Sequence, residues 1–233
     1  MMNRIVAPEW LDELDPEAGE ALESRKDLQR LNGLMGHVSW MAVEPLVDLI
    51  RRKTPRIVDL GAGDGTFLFR LSTRISILAG KTPGLQVDAV LLDRRPPKTA
   101  VMERLYEQAG FRVEVVQADI LDWLPHAAPA DAFVANLFLH HFKDDALRRL
   151  LSLAADKCNL FVACEPRRSR LALIASRMLW LIGCNPVTRH DAAVSVRAGF
   201  RNGEISALWP ANGWIVREGR AGLFSHLFVA QKK

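Results

Sequence analysis

Residues 57–68, with the sequence IVDLGAGDGTFL, decide the fold of this chain. Two β-branched residues lead into Asp59, three glycines follow at alternate positions, and apolar residues resume after Thr66. That order predicts a strand, a glycine turn and a helix. Glycine adopts positive φ readily and lets the backbone approach a ligand without a Cβ in the way. The stretch therefore predicts a binding turn for a small ligand, with Asp59 beside it as an acceptor.

Two other glycine turns do not match this spacing. A dinucleotide-binding G-x-G-x-x-G turn requires a glycine at position 66, where this chain has Thr66. A phosphate-binding P-loop requires a lysine that the stretch lacks. The spacing acidic-x-Gly-x-Gly-x-Gly instead resembles the first motif of class I S-adenosylmethionine-dependent methyltransferases. In that family the turn approaches the methionine end of the cofactor, and the acidic residue helps to fix its ammonium group.

Three later segments extend the resemblance, because each reads as a strand that ends in polar residues. They are Val87–Asp93, Val113–Ile120 and Ala132–Phe142, the last with its strand ending near Asn136. In open α/β sheets, ligands bind at the carboxyl ends of the strands. The family uses these ends, in order, for the ribose hydroxyls, the adenine and the floor beneath the transferred methyl group. The resemblance thus implies that S-adenosylmethionine contacts Asp59, Gly61, Ala62, Gly63, Gly65, Asp93, Arg94, Asp119, Ile120, Asn136 and Leu137.

Alternating strands and helices predict an α/β fold with a parallel sheet covered on both faces. A fifth strand is predicted over Leu160–Glu165, and a closing hairpin over Gly213–Arg217 and Leu223–Ala230. The resemblance implies a Rossmann-like, doubly wound sheet of seven strands in the order 3-2-1-4-5-7-6, with the last strand antiparallel.

Residues 1–50 are predicted to form a helical lid, and residues 51–233 the methyltransferase domain. Leu28, Leu31, Leu34 and Met35 recur at helical spacing and would share one face. Gly33 and Gly36 are expected to interrupt that helix.

A helical insertion is predicted at about 166–202. Its stretch Arg170–Cys184 is almost wholly apolar, and Arg170 and Arg177 share one helix face. It is too short, with Arg177 in its middle, for a good transmembrane helix. It could roof a pocket, lie in a membrane interface with Arg167 and Arg168 toward headgroups, or form a dimer contact or core helix.

Histidine suits removal of a proton from an acceptor, since its pKa lies near neutral pH. His190 is the first candidate for such a base because Asp191 follows it directly and could orient the imidazole. His140, after the fourth strand, is the second candidate. His141 and His226 are predicted to be structural. Glu165 is expected to contact the acceptor or to tie down the lid.

Several motifs that would indicate particular classes of methyl acceptor are missing from the sequence. No N-P-P-[YF] tetrapeptide follows the fourth strand, no pair of catalytic cysteines is present, and no Asp/Asn metal cluster can be assembled, so no metal is predicted. These absences favour a small apolar acceptor methylated on oxygen or carbon. The insertion, from Glu165 to Phe200, resembles the ubiquinone/menaquinone-biosynthesis-like group, which implies a phenol, resorcinol, pyrone or quinone-like acceptor.

Composition leaves two other functions open. The chain has 233 residues, 49% of them hydrophobic, and a net charge of +4, and from Leu151 onward 12 Lys and Arg stand against 5 Asp and Glu. That asymmetry would suit an RNA methyltransferase, although no nucleic-acid module is evident. A non-catalytic S-adenosylmethionine-binding protein is the other alternative. Three scattered cysteines and the lack of a signal-peptide core predict a cytoplasmic protein. A monomer or a homodimer is expected.

Overall fold

The computed structural model describes residues 2–80, 87–96, 100–109, 111–210 and 212–233. Its strands are β1 (Arg56–Leu60), β2 (Asp88–Asp93), β3 (Arg112–Gln117), β4 (Ala130–Asn136), β5 (Cys158–Pro166), β6 (Trp214–Ala221) and β7 (Ser225–Lys232). They form one sheet in the order β3-β2-β1-β4-β5-β7-β6. The first five strands are parallel, and β7 runs antiparallel to both β5 and β6. The predicted fold class and strand order are confirmed.

Helices connect the strands and precede the first one. They are α1 (Trp10–Glu13), α2 (Gly19–Met35), α3 (His37–Met41), α4 (Glu44–Arg52), α5 (Thr66–Leu78), α6 (Ala100–Gln108), α7 (Ile120–Trp123), α8 (Asp144–Lys157), α9 (Arg170–Arg177) and α10 (Pro186–Ala198). Short 3-10 helices cover Leu124–His126, Leu139–His141 and Leu179–Ile182. None of the described helices has the length and apolar character that a bilayer crossing needs.

The central strands are apolar at nearly every position because helices cover both faces of the sheet. In β4, Phe133 and Ala135 join one buried cluster, whereas Ala132 and Val134 join the cluster on the opposite face. The alternation follows from the two-residue repeat of a strand. In β1, Asp59 lies among the buried apolar residues Ile57, Val58 and Leu60, near the end where the glycine turn begins.

The strands β5 and β6 are longer than predicted, β7 is shifted by two residues, and two further boundaries differ from the predictions for a clear local reason. The strand β3 ends at Gln117 rather than at Asp119, because the Asp119 carboxylate accepts a hydrogen bond from Leu121 N (2.8 Å) and caps α7. The helix α2 passes through Gly33 without interruption and ends at Gly36, whose φ of 70° gives a left-handed cap.

The first 50 residues divide between two environments. Helix α4 buries Leu46, Val47 and Ile50 in the core beneath the sheet. Helix α2 instead packs against the insertion, where Ser24 Oγ lies 2.8 Å from Thr188 Oγ1 and the Asp27 carboxylate accepts from Asn185 N (2.8 Å). The amino-terminal helices and the insertion therefore form one helical layer over one end of the sheet.

Candidate active site

A cavity of about 1450 Å³ opens at the carboxyl ends of β1, β2 and β4. Its walls include the glycine turn, the segments after β3 and β4, one face of α2 and the amino-terminal residues 6–9. Of the residues predicted to bind cofactor, all line this cavity except Gly65. The topology thus brings the four predicted strand ends together around one space.

The backbone conformation of the turn favours glycine at all three positions, and close packing requires it at two of them. Gly61, Gly63 and Gly65 all have positive φ, at 73°, 54° and 77°. A Cβ on Gly61 would lie 2.1 Å from the Phe138 ring, and one on Gly65 would lie 2.6 Å from Leu91. A Cβ on Gly63 would meet no heavy atom within 4 Å. Gly61 and Gly65 therefore allow close packing, while Gly63 presents bare backbone to the cavity.

Asp59 carries a buried carboxylate without a complete set of partners. The residue is 2% exposed, and its Oδ2 atom has no hydrogen-bond partner among the described residues. Burial, followed by the negative charges of Asp93 and Asp64, raises the pKa of Asp59 well above its usual value. A cationic group bound beside the glycine turn would offset that burial and supply the missing partner.

Asp93 is held by backbone groups at the end of β2. Its Oδ2 accepts from Gly63 N (2.9 Å) and its Oδ1 from Arg95 N (2.7 Å), which fixes the carboxylate at the cavity wall. Both oxygens keep a lone pair for a ligand. Asp119 is exposed and caps α7, and Ile120 next to it is buried at the wall. The segment after β3 thus offers a ligand one hydrogen-bond acceptor, the Asp119 carboxylate, and one apolar surface, the Ile120 side chain.

The loop after β4 is ordered by a buried histidine from α3. His37 Nδ1 lies 2.7 Å from Asn136 Oδ1, and His37 Nε2 lies 2.8 Å from Ser225 Oγ. Burial lowers the pKa of His37 to about 4, so its imidazole is neutral at pH 7. Leu137, which follows Asn136, has a φ of 55° and donates its backbone N–H to Cys164 O (2.9 Å). A non-glycine residue in this conformation is strained, as is common at functional sites.

His140 and Glu165 form a buried pair at the cavity. Glu165, which is fully buried, accepts from the backbone N–H groups of Phe138 (3.0 Å) and Leu139 (2.8 Å) and lies 2.7 Å from His140 Nδ1. On the other side of the ring, His140 Nε2 lies 3.3 Å from Glu9 Oε1. Burial acts to lower the pKa of His140, but the hydrogen bonds and charges of Glu165 and Glu9 outweigh it and raise this pKa to about 9.

Glu9 belongs to a segment that we call the N-terminal strap, residues 4–14. Burial alone would raise the pKa of Glu9, but the hydrogen bond and charge of His140 lower it below the usual value. Ser195 Oγ on α10 also donates to Glu9. At the start of the strap, Arg4 donates to Phe142 O (2.8 Å) and Ala198 O (2.8 Å). The strap therefore closes one side of the cavity through contacts to several elements.

His190 and Asp191, the first sequence candidates for the base and its partner, do not line the cavity. The Asp191 carboxylate accepts from Trp10 N and Leu11 N, both at 2.9 Å, and so caps α1 of the strap. The His190 imidazole stacks on the Trp10 ring, with centroids 3.8 Å apart and planes at 7°. His190 Nδ1 also lies 2.8 Å from Asp191 Oδ1. This geometry assigns both residues to holding the strap, which does not favour His190 as a base.

Potential metal ligands also meet at the strap. Ligand atoms of Glu9, His140 and His141 lie within 4.8 Å of one another, and His141 Nδ1 lies 3.3 Å from Asp12 Oδ2. The two imidazoles are tilted at 33° to each other, with centroids 4.3 Å apart. Each already faces a carboxylate, since His140 Nε2 lies 3.3 Å from Glu9 Oε1. The cluster therefore suits ion pairs better than a shared metal.

Sequence reasoning missed several residues of this site. Gln29 on α2 donates to Asp64 Oδ2 (2.6 Å) and Thr66 Oγ1 (3.2 Å), which joins the lid helix to the glycine turn. Glu9 and His37 also lie far along the chain from their partners. Their polar character on otherwise apolar segments was a signal, but the partners could be found only from the fold.

Comparison with known proteins agrees with the geometry. The family described as "Methyltransferase domain" matches residues 57–158. Over these residues the chain is similar to a methyltransferase domain. The match covers β1 through the first residue of β5, including the glycine turn and the three strand ends that follow it. No curated protein matches the sequence.

Similar solved structures include methyltransferases that span nearly the whole chain. The plantazolicin methyltransferase BpumL in complex with SAH has a TM-score of 0.65 at 13% identity, over 93% of this chain and 92% of that one. The mitomycin 7-O-methyltransferase MmcR has a TM-score of 0.62 at 18% identity, over 96% of this chain and 60% of that one. An O-methyltransferase family protein from Burkholderia thailandensis has a TM-score of 0.55 at 19% identity, over 94% and 64%. At these identities the likeness establishes the fold.

Proposed function

We propose that this protein transfers the methyl group of S-adenosylmethionine to a small apolar acceptor, most simply on oxygen. The observation that carries the proposal is the buried Asp59 carboxylate, which has an unpartnered oxygen beside a glycine turn at the cavity wall. An amino-acid ammonium group is the kind of cation that such a carboxylate would bind. The methyltransferase-domain match over the same residues supports this choice of ligand.

The remaining cofactor contacts follow from the strand ends. Gly61, Ala62 and Gly63 would hold the methionine part through the backbone, and Asp93 would accept from the ribose hydroxyls. Asp119 and Ile120 would contact the edge and face of the adenine. Asn136 and Leu137 would form the floor beneath the methyl group. When bound, the cofactor supplies a methyl group on a positively charged sulfur.

His140 is the residue that we propose as the general base, in place of His190. Glu165 fixes Nδ1 of its ring, so that Nε2 is the nitrogen that could accept the proton of an acceptor hydroxyl, once His140 is neutral and its contact with Glu9 Oε1 (3.3 Å) is released. The rest of the acceptor side is apolar, with Phe138 and Phe142 among its walls. Methyl transfer is an in-line displacement, so these walls act mainly by positioning.

The acceptor is proposed to be a phenol, pyrone or quinone-like compound of the ubiquinone/menaquinone-like group. MmcR, whose fold is similar, is named as a 7-O-methyltransferase, which supports oxygen as the target. We further propose that the protein works in the cytoplasm as a monomer or homodimer.

Replacement of Asp59 tests the cofactor assignment. Asp59→Asn removes the charge that would bind an ammonium group, so we expect the affinity for S-adenosylhomocysteine to fall by about 10- to 100-fold, as for a charged hydrogen bond of roughly 1.5 to 3 kcal/mol. Isothermal titration calorimetry would measure it. Asp156→Asn, an exposed position on α8, is the control. Equal affinities in the two variants would remove the observation on which the proposal rests.

A transfer assay tests the reaction itself. Radiolabelled S-adenosylmethionine would be incubated with phenols, pyrones, quinols and total RNA. Label in an alkali-stable ether of a phenol or pyrone is the expected result. Label in RNA would instead support the RNA methyltransferase alternative, and tight cofactor binding without transfer to any acceptor class would support the non-catalytic one.

A further inference from the structure

An apolar surface lies on the insertion and takes no part in the cavity. We call it the insertion patch, and its members are Leu171, Ile174, Met178, Trp180, Leu181 and Ile182. Each of these side chains is between 46% and 58% exposed, and none lines the cavity. A contiguous patch of this kind marks an interaction site more often than an ordinary surface.

The patch is continuous because of the local helical geometry. Leu171 and Ile174 on α9 and Met178 directly after it recur at three and four residues, while Ala172 and Ser176 on α9 are buried. The following 3-10 helix, Leu179–Ile182, contains no buried residue. Its exposed side chains continue the surface that α9 begins.

The charged residues in the part of the insertion that carries the patch are all basic. Residues 166–190 contain five arginines and no Asp or Glu. Arg168 is buried and paired with Glu204. Arg170 and Arg177 are exposed, stand one helical turn on either side of Ile174, and make no hydrogen bond or ion pair with the described residues. The long stems of such arginines can cover apolar surface while their guanidinium groups reach anionic headgroups.

We propose that the insertion patch binds the surface of an anionic phospholipid bilayer. Apolar side chains with an exposed tryptophan, flanked by arginines, are the features of a segment that lies in a membrane interface. Attraction to an anionic leaflet complements the lack of Asp and Glu in residues 166–190. Binding of this kind is peripheral and does not depend on the proposed methyl transfer.

Vesicle binding by the full chain tests the proposal. Co-sedimentation would compare phosphatidylcholine vesicles with and without phosphatidylglycerol. The double variant Ile174→Ser/Leu181→Ser should lower the partition coefficient about tenfold or more. Ile77→Ser/Ile215→Ser is the matched control, because Ile77 on α5 is 55% exposed and Ile174 is 57% exposed. This control should leave binding unchanged.

The arginines have a separate variant and control. Arg170→Gln and Arg177→Gln should each weaken binding to anionic vesicles about fivefold, and added salt should reduce the difference. Arg149→Gln, at an exposed position on α8, should have little effect. Equal binding to neutral and anionic vesicles would overturn the proposal.

Two further results bear on the same question. Brominated lipids should quench tryptophan emission in the wild-type protein and less so in Trp180→Phe, which retains the apolar surface. If the wild-type chain does not bind vesicles but forms a dimer that Ile174→Ser/Leu181→Ser dissociates, the patch is a contact between copies of this chain. That outcome would overturn the lipid proposal while leaving the proposed function untouched.

Discussion

Two histidine–carboxylate pairs in this protein lie on either side of the N-terminal strap. In His190–Asp191 the partners are neighbours in sequence, and the His190 side chain is 33% exposed. In His140–Glu165 the partners are 25 residues apart, and the His140 side chain is 3% exposed. The first pair holds the outside of the strap through Trp10. The second faces the cavity and contacts the strap through Glu9.

The difference shows why adjacency in sequence is a poor guide to a catalytic pair. The Asp191 carboxylate contacts the neighbouring His190, but it also accepts hydrogen bonds from two backbone N–H groups of the strap. Its contact with His190 therefore belongs to a structural anchor. Residues at the ends of adjacent strands converge by topology. Glu165 closes β5 and His140 follows β4, which is why they meet at the cavity.

Replacing each of the two histidines in turn should give the largest difference in turnover between the two pairs. We expect His140→Gln to lower kcat by about 100-fold or more if His140 is the base, whereas His190→Gln should keep turnover within about threefold. Cofactor affinity should be retained in both. The measurement is steady-state methyl transfer on the best acceptor, and the reverse ranking would restore His190 as the candidate.

Removal of the strap carboxylate should shift the pH dependence of the reaction. A base must be neutral, and with a pKa of about 9 His140 is protonated at pH 7, so kcat/KM should rise with pH toward that value. Glu9→Gln removes a negative charge that raises the pKa of His140. The increase of kcat/KM with pH should therefore occur about one pH unit lower than in wild type. Ser195→Ala, which contacts Glu9 but not His140, should leave this pH dependence nearly unchanged. If the pH dependence of kcat/KM is the same in Glu9→Gln and in wild type, Glu9 does not influence the group that titrates.

The same pair should make stability depend on pH. Because the folded-state pKa of His140 lies above its usual 6.5, its contribution to stability is complete below about pH 6.5 and is lost as the pH rises through about 9. The stability gap between wild type and His140→Gln should therefore be wider at pH 6 than above pH 9. Thermal unfolding at both pH values would measure it, and a constant gap would contradict the raised pKa.

The outer pair should show a smaller and purely structural effect. Asp191→Asn leaves one of two backbone N–H groups in α1 without its acceptor, so we expect a loss of about 1 to 2 kcal/mol in the free energy of unfolding. Asp15→Asn is the control, since among the described residues the Asp15 carboxylate accepts only from Glu17 N, at an exposed turn. Denaturant unfolding would measure both. An equal loss in the two variants would mean that Asp191 does not anchor the strap.

The sheet and the cofactor side could be predicted from sequence because their signals are local. The glycine turn is encoded by Gly61, Gly63 and Gly65, and each strand that delivers a polar group is a short run rich in aliphatic residues. The roles assigned to those groups remain predictions. Asp119 illustrates the limit, because it lines the cavity and also caps α7.

The acceptor side could not be predicted in the same way. The strap, α2, α10 and the loop after β4 come from four separate parts of the chain, and their contacts depend on packing rather than on spacing. Glu9, for example, meets His140 across 131 residues. No pattern near Glu9 indicates that partner.

The contact between Gln29 and the glycine turn has a kinetic consequence. The Gln29 side-chain amide joins helix α2 to Asp64 and Thr66 of the glycine turn across the cavity. If the demethylated cofactor leaves between α2 and the turn, these hydrogen bonds must break before the next cycle begins. A rapid burst of product followed by slower steady turnover would be its signature, with departure of the by-product setting the pace.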